Sequence, residues 1–200
     1  MAPHQEIRIS QMVLQLGPGA ILESTAGPRL IPLPEFGLFD MVNPEKYAID
    51  LPHMGKILGG RRVFRIPSDA SLSIPSQKPL YRTHPFPNWK LCVEHNVLYF
   101  RECPKCSGKG KHSSRTETIR FVVACPKGHL DDVNWFSAVH SGKTCKGTDY
   151  YIWISKGGSM SDTVIRCPIC NAETTLANIY RKPHRCSGRF PEREPLGSQP

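Results

Sequence analysis

The chain has 200 residues, 39% of them apolar, and its 26 Lys and Arg residues outnumber 17 Asp and Glu residues to give a formal net charge of +9. Such a composition is typical of a globular chain that can bury a core, and it excludes a disordered protein. No apolar run approaches the roughly 20 residues that cross a bilayer, and the N-terminus lacks the pattern of a secretory signal. We therefore expect a cytoplasmic protein with no membrane partner. The basic excess favours an anionic partner such as nucleic acid.

The first half of the chain predicts short elements separated by prolines. Ile7 to Leu16 could begin as a short helix, and the turn Gly17-Pro18-Gly19-Ala20 then ends it. Prolines recur every few residues between Gly27 and Pro87, which excludes long helices there, although one helix is possible near Met54 to Leu58. We expect residues 1–87 to form a Pro-rich region of strands and loops.

The second half predicts a metal-binding region over residues 88–190. A helix should begin at Asp131 or Asp132 and reach His140, because aspartate is a good N-cap. Runs rich in β-branched and aromatic residues predict strands at Val97–Phe100, Ile119–Ala124, Tyr150–Ile154 and Thr163–Arg166. Residues 191–200 are polar and Pro-rich, which indicates a tail or a truncated linker. The expected fold class is α+β, with small mixed or antiparallel sheets, short helices and zinc-ribbon-like modules in the C-terminal half.

Eight cysteines dominate the chemistry of this region. In a reducing cytosol, repeated Cys-x-x-Cys pairs indicate metal ligands rather than disulfides, whereas in an exported chain the same residues could form four bridges. We expect Zn²⁺, with two to three ions per chain.

The first ligand cluster is compact in sequence. Cys92-x-x-His95 is followed after seven residues by Cys103-Pro-Lys-Cys106. Two such pairs joined by a tight hairpin can close a tetrahedron around one zinc ion, as in a short zinc ribbon. A redox role for the Cys-x-x-Cys pair is the alternative.

The other two clusters are less regular. Cys125 and His129 share a glycine-containing turn, and the nearest further candidates are His140 and Cys145, which would clamp both ends of the predicted helix. The alternative is that His129 or His140 only packs or caps.

Cys167-Pro-Ile-Cys170 forms the third cluster with Cys186. His184 is one candidate for its fourth ligand; a cysteine beyond Pro200, or Cys125 or Cys145 shared between clusters, are the others.

Thiolate-rich, four-ligand sites favour a structural role over catalysis, because catalytic zinc usually keeps one position open. No nucleotide-binding loop, hydrolase motif or deaminase motif is present, and no small-molecule substrate is evident. We expect no catalytic residue and no enzyme activity. The alternative is a metal-dependent nuclease or hydrolase that uses His129, Asp131 and Asp132.

Basic residues cluster just after the first ligand group. Lys105, Lys109, Lys111 and Arg115 are the candidate nucleic-acid contacts, because a flexible basic loop suits phosphates. A solvated surface loop is an equally good interpretation.

Several stretches resemble one known family. They are Arg8-Ile9-Ser10-Gln11, Gly17-Pro18-Gly19-Ala20, the run from Arg120 to Asp132 (RFVVACPKGHLDD) with Trp135 and His140, Arg166-Cys167-x-x-Cys170, and Cys186-Ser187-Gly188-Arg189. Together they are similar to the N-terminal part of the DrmB family of the DISARM anti-phage defence system, from about Ile7 to Gly188. Members of that family are considerably longer, so the resemblance implies an N-terminal fragment, a split gene product or a truncated copy.

The resemblance implies a zinc-binding, non-catalytic subunit that partners a DrmA-like helicase and engages DNA through the complex, with ATP hydrolysis in the helicase. A pure protein–protein scaffold is the further alternative.

Overall fold

The structure is a computed structural model that describes residues 5–38, 42–68, 70–73, 80–106 and 116–195. The chain divides into two compact units, one formed by residues up to His84 together with those from Pro191 onward, and the other by Pro85–Phe190. Within the described ranges, no helix is both long enough and apolar enough to cross a membrane.

The first unit consists of short elements, as the recurrent prolines predict. The helices are α1 (Ile9–Leu14), α2 (Pro34–Gly37) and α3 (Pro52–Ile57). The strands are β1 (Ile21–Ser24), β2 (Gly27–Leu30), β3 (Ala48–Ile49), β4 (Val63–Phe64) and β5 (His84–Pro85). Single 3-10 turns lie at Pro44–Tyr47, Ala70–Leu72 and Pro191–Arg193. The predicted helix near the N-terminus and the one near Met54 are both confirmed.

Close packing in the first unit centres on Tyr81. Its hydroxyl donates to the carbonyl of Pro32 at 2.7 Å, and burial raises its pKa. Its ring leaves no room for a Cβ at Gly37, which would lie 2.4 Å from a ring carbon. Residues 191–195 also contact this unit, because the amide of Leu33 donates to the carbonyl of Glu192 at 2.7 Å.

The second unit is built on an antiparallel sheet with the strand order β13-β12-β11-β7-β6-β8 in the described part of the chain. Its strands are β6 (Lys90–Cys92), β7 (Val97–Tyr99), β8 (Thr116–Thr118), β11 (Tyr150–Ser155), β12 (Thr163–Arg166) and β13 (Glu173–Thr175). A separate antiparallel pair joins β9 (Val122–Ala124) and β10 (Leu130–Asp132).

Two short helices cover this sheet: α4 (Trp135–His140) and α5 (Leu176–Arg181). Helix α4 begins later than the sequence predicts, because Asp131 and Asp132 lie in β10. The N-cap is instead Asn134, whose side chain accepts a hydrogen bond from the amide of Ser137 at 2.9 Å.

The core of the second unit lies between the sheet and these helices. Trp135, Tyr151 and Ile165 are at most 1% exposed, and Trp89 packs against Trp135 and Tyr151 with ring centroids 6.2 and 5.8 Å apart. The expected α+β class with small antiparallel sheets and short helices is confirmed.

Candidate metal centres

Three groups of cysteine and histidine side chains lie in the second unit, and within each group the ligand atoms are all within 4.8 Å of one another. All eight cysteines are free of disulfide bonds, and each belongs to one group. Site 1 is Cys92, His95, Cys103 and Cys106; site 2 is His140, Cys145, Cys167 and Cys170; site 3 is Cys125, His129 and Cys186. The three groups could hold metal ions, and their ligands are those that zinc prefers.

Site 1 is built by two adjacent turns. Strands β6 and β7 pair with Cys92 opposite Val97, and Asn96 takes the positive φ of 51° that the tight turn between them requires. The second turn is closed by a hydrogen bond from the amide of Cys106 to the carbonyl of Cys103 at 3.0 Å. Both turns therefore direct their side chains to one point.

The separations in site 1 are close to those of a tetrahedral zinc site. Nδ1 of His95 lies 3.3 Å from the Sγ of Cys92 and 3.2 Å from that of Cys106, and these two sulfurs are 3.7 Å apart. Zinc–sulfur and zinc–nitrogen bonds of usual length give tetrahedral edges of about 3.5–3.8 Å. The three cysteines are at most 6% exposed, and burial, with smaller effects from neighbouring thiols, raises the pKa of Cys103 to about 11.

Site 2 forms where both ends of a β-hairpin meet helix α4. Strands β11 and β12 pair antiparallel with Ile152 opposite Arg166, so the residues before β11 and after β12 lie at the same end. The sulfurs of Cys145 and Cys167 are accordingly 3.9 Å apart. A turn closed by the amide of Asn171 donating to the carbonyl of Cys167 at 3.1 Å carries Cys170 back to the group.

His140 fits the role of a metal ligand in site 2. Its ring is 1% exposed, and Nδ1 donates to the carbonyl of Phe136 at 2.8 Å, which leaves Nε2 as the acceptor nitrogen. This Nε2 is buried and has no hydrogen-bond partner among the described residues. A buried polar atom of this kind is rare unless something else satisfies it, and a backbone carbonyl on the other nitrogen is the usual support of a ligating imidazole.

Site 3 joins a turn to a distant segment. The amide of Cys125 donates to the carbonyl of His129 at 3.1 Å, and Gly128, with a φ of 83°, allows the tight turn between them. Nδ1 of His129 lies 3.3 Å from the sulfur of Cys125 and 3.1 Å from that of Cys186, and the two sulfurs are 3.6 Å apart. Cys186 is exposed, and the other two residues are partly buried. Burial alone would raise the pKa of Cys125, but backbone amides, Cys186 and Lys127 together lower it.

The carboxylates beside site 3 are engaged by neighbouring side chains. Arg189 donates to Asp131 at 2.6 Å, and the amide and side chain of Asn88 each donate to Asp132 at 2.8 Å. Burial raises the pKa of Asp132, against the opposing effects of Asn88 and Arg189.

The structure corrects the ligand groups that the sequence order suggests. Cys125 and His129 do not join His140 and Cys145 in one site; they join Cys186, and His140 and Cys145 join Cys167 and Cys170. His184 lies outside all three groups, and its Nε2 is hydrogen-bonded to the carbonyl of Ile179 at 2.9 Å. Both shared-cysteine alternatives for the third predicted cluster match in part: Cys145 joins Cys167 and Cys170 in site 2, and Cys125 joins Cys186 in site 3.

A structural signal for site 2 was present in the sequence. Strands predicted at Tyr150–Ile154 and Thr163–Arg166, when paired as a hairpin, bring Cys145 and Cys167 to the same end. The partner of Cys125 had no comparable signal, because Cys186 is brought near by a contact outside the main sheet, from the amide of Leu130 to the carbonyl of Arg189.

The candidate nucleic-acid residues are only partly described. Lys105 is exposed between two ligands of site 1, whereas Lys109, Lys111 and Arg115 lie outside the described residues. Tyr99, an aromatic residue near this basic loop in sequence, is 6% exposed and packs against site 1.

Two comparisons relate the chain to known proteins. It is 26% identical to a DISARM protein DrmB of Bacillus paralicheniformis over an alignment that covers 54% of this chain and 22% of that protein. The match supports a distant relationship to DrmB, and the chain spans about a fifth of that protein's length. A family model described as a domain of unknown function, DUF8724, matches residues 8–199, and the chain therefore belongs to the DUF8724 family.

Proposed function

We propose that this chain is a zinc-stabilised, non-catalytic, DrmB-like subunit of a DISARM-type defence complex, which partners a DrmA-like helicase and contributes to the binding of DNA. The observation that carries the proposal is the pair of four-ligand, cysteine-rich groups at sites 1 and 2, within a chain distantly related to DrmB.

A structural role for zinc follows from the chemistry of these two sites. Each offers three sulfurs and one imidazole, which fill the tetrahedral shell that zinc prefers and leave no position for a substrate. Each site also ties strands of the main sheet to a neighbouring turn or helix. Zinc binding would therefore be coupled to the folding of the second unit.

The arrangement of Asp131 and Asp132 argues against the hydrolase alternative. A catalytic carboxylate must reach substrate or its attacking water, whereas these two side chains are held by Arg189 and Asn88. They are better explained as groups that attach the segment around Arg189 to strand β10.

DNA binding is supported by the charge of +9 and by the exposed Lys105 beside site 1. Phosphate contacts make affinity depend on salt, with a slope of about −0.9 per contact for duplex DNA. We expect the purified chain to bind DNA with such a slope, and the K105A/K109A/K111A/R115A variant to reduce the slope by about 2–4.

Three measurements test the proposal. Fluorescence anisotropy on labelled DNA across a salt series compares the wild type with that variant and with the matched control K46A/K56A/R61A/K156A, which removes four Lys or Arg residues from outside the candidate loop and should leave most of the slope intact. Co-purification with a DrmA-like helicase and zinc analysis of the purified chain complete the test. A chain without zinc would overturn the proposal, and zinc without DNA binding would leave the scaffold alternative.

A further inference from the structure

We propose that site 3 is an open zinc site in which Cys125, His129 and Cys186 provide three ligands and the fourth position, facing the adjacent cavity, binds a small exchangeable anion. The inference rests on the zinc assignment in the proposed function, and it adds a ligand-binding role to one site.

The first observation is the number of ligands. Sites 1 and 2 each gather four ligand atoms, whereas site 3 gathers three among the residues that the structure describes. The separations of 3.1, 3.3 and 3.6 Å are close to the edges of about 3.5–3.8 Å that one face of a zinc tetrahedron would have. Three protein ligands with one open position are typical of zinc that binds an exogenous group.

Two other potential ligands that line the same cavity, Asp131 and His184, are engaged elsewhere. Oδ1 of Asp131 accepts from Arg189 at 2.6 Å and from the amide of Asp132 at 2.8 Å. His184 is hydrogen-bonded to the carbonyl of Ile179. A solvent molecule or a dissolved ligand is therefore the natural occupant of the fourth position.

The second observation is access. All three ligands line a cavity of about 570 Å³ that also includes Lys182 and Arg185. Cys186 is exposed and no ligand of site 3 is buried, whereas sites 1 and 2 each contain buried ligands, although Cys170 of site 2 is exposed as well. A small molecule can thus reach a metal ion at site 3 without displacing the core.

The third observation is charge. Two thiolates and one Zn²⁺ form a neutral group, and the carboxylates that line the cavity are paired with Arg189 or hydrogen-bonded to Asn88. Lys182, whose Nζ donates to Ser141 at 2.7 Å, and Arg185 add positive charge to the lining. This balance favours an anion over a neutral or cationic ligand.

Cobalt substitution of the full chain tests the inference, with azide as the probe. Co²⁺ replaces Zn²⁺ in tetrahedral sites and gives absorption bands that change when an open position gains a ligand. We expect three cobalt ions per chain. Azide should change about one third of the total cobalt absorption, the part that comes from the ion at site 3. The C186S variant should bind two cobalt ions and lose the azide response. Substituting Arg185→Gln should weaken azide binding about two- to fivefold, whereas the control K156Q, an exposed lysine outside the cavity lining, should not.

The outcomes separate this inference from the proposed function. A chain that binds no cobalt and contains no zinc would overturn both. Two cobalt ions and no azide response would overturn the inference and leave the structural sites intact. Three cobalt ions and no azide response would do the same, because site 3 would then bind metal but have no open position. The wild-type titration decides between these results even where C186S fails to fold.

Discussion

Sites 1 and 2 differ from site 3 in the number and the burial of their ligands, although all three draw on cysteine and histidine. The closed sites hold four ligands each, and both include a cysteine with 0% exposure. Site 3 holds three ligands, none of them buried, at the wall of a cavity; its exposed cysteine alone does not distinguish it, because Cys170 of site 2 is exposed too. If these groups hold zinc as we propose, an ion at site 1 or site 2 would tie elements of the folded core together, and an ion at site 3 would remain accessible.

We expect the largest effect when a buried cysteine ligand is replaced, compared with the same replacement of an exposed cysteine ligand. Substituting Cys167→Ser should abolish metal binding at site 2 and the cooperative unfolding of the second unit. Binding of a structural zinc contributes on the order of 10–16 kcal/mol, which equals or exceeds the total stability of a typical domain. The matched change Cys186→Ser should remove one zinc and preserve cooperative unfolding. Circular dichroism melts and zinc analysis measure both; equal loss of folding in the two variants would erase the distinction between the sites.

We expect a smaller effect from the replacement of a histidine, and two histidines can be compared. His140→Gln should reduce the zinc content by one ion per chain, because Nε2 of His140 is the nitrogen available to site 2. His184→Gln should keep every zinc and cost about 0.5–1.5 kcal/mol at most, since it alters one hydrogen bond to the carbonyl of Ile179. Zinc analysis after gel filtration distinguishes them. Loss of zinc in H184Q would restore the ligand set that the sequence first suggested.

The contrast between the sites also explains which of them the sequence could predict. Site 1 lies within a stretch of fifteen residues, from Cys92 to Cys106, and the turns that assemble it are local, so ligand spacing was sufficient. The ligands of sites 2 and 3 come from separate segments, and grouping them by nearness in sequence gave the wrong sets. Spacing along a chain reports on turns, whereas these sites depend on which strands pair and on where the last segment docks.

The same physical reason applies to the fold. The short helices and the strands Tyr150–Ser155 and Thr163–Arg166 followed from composition and from β-branched runs. The start of helix α4 did not, because Asp131 and Asp132 satisfy a local capping rule and yet lie in β10, where Arg189 and Asn88 bind them. The long-range ion pair between Arg189 and Asp131 outweighed the local preference of aspartate for a helix N-cap.

The smallest expected effect concerns that ion pair and the geometry of site 3. Arg189 and Asp131 are 2.6 Å apart with side chains 14% and 26% exposed, and Arg189 lies three residues after the ligand Cys186. Asp131→Asn should therefore cost about 1–3 kcal/mol in the free energy of unfolding and should weaken metal binding at site 3 by up to about tenfold through its effect on the position of Cys186.

The control for this change is Glu173→Gln, whose pair with Arg166 is 50% and 40% exposed and should contribute about 1 kcal/mol or less. Chemical denaturation measures stability, and competition with a chromophoric chelator measures the affinity of site 3. If D131N and E173Q had the same stability and the same metal affinity at site 3, the ion pair of Asp131 with Arg189 would have no part in positioning Cys186. If D131N instead abolished a nuclease activity of the wild type at unchanged stability and metal content, Asp131 would be catalytic. Site 3 would then be part of an active site, and the division between structural and accessible metal would become one between structural and catalytic metal.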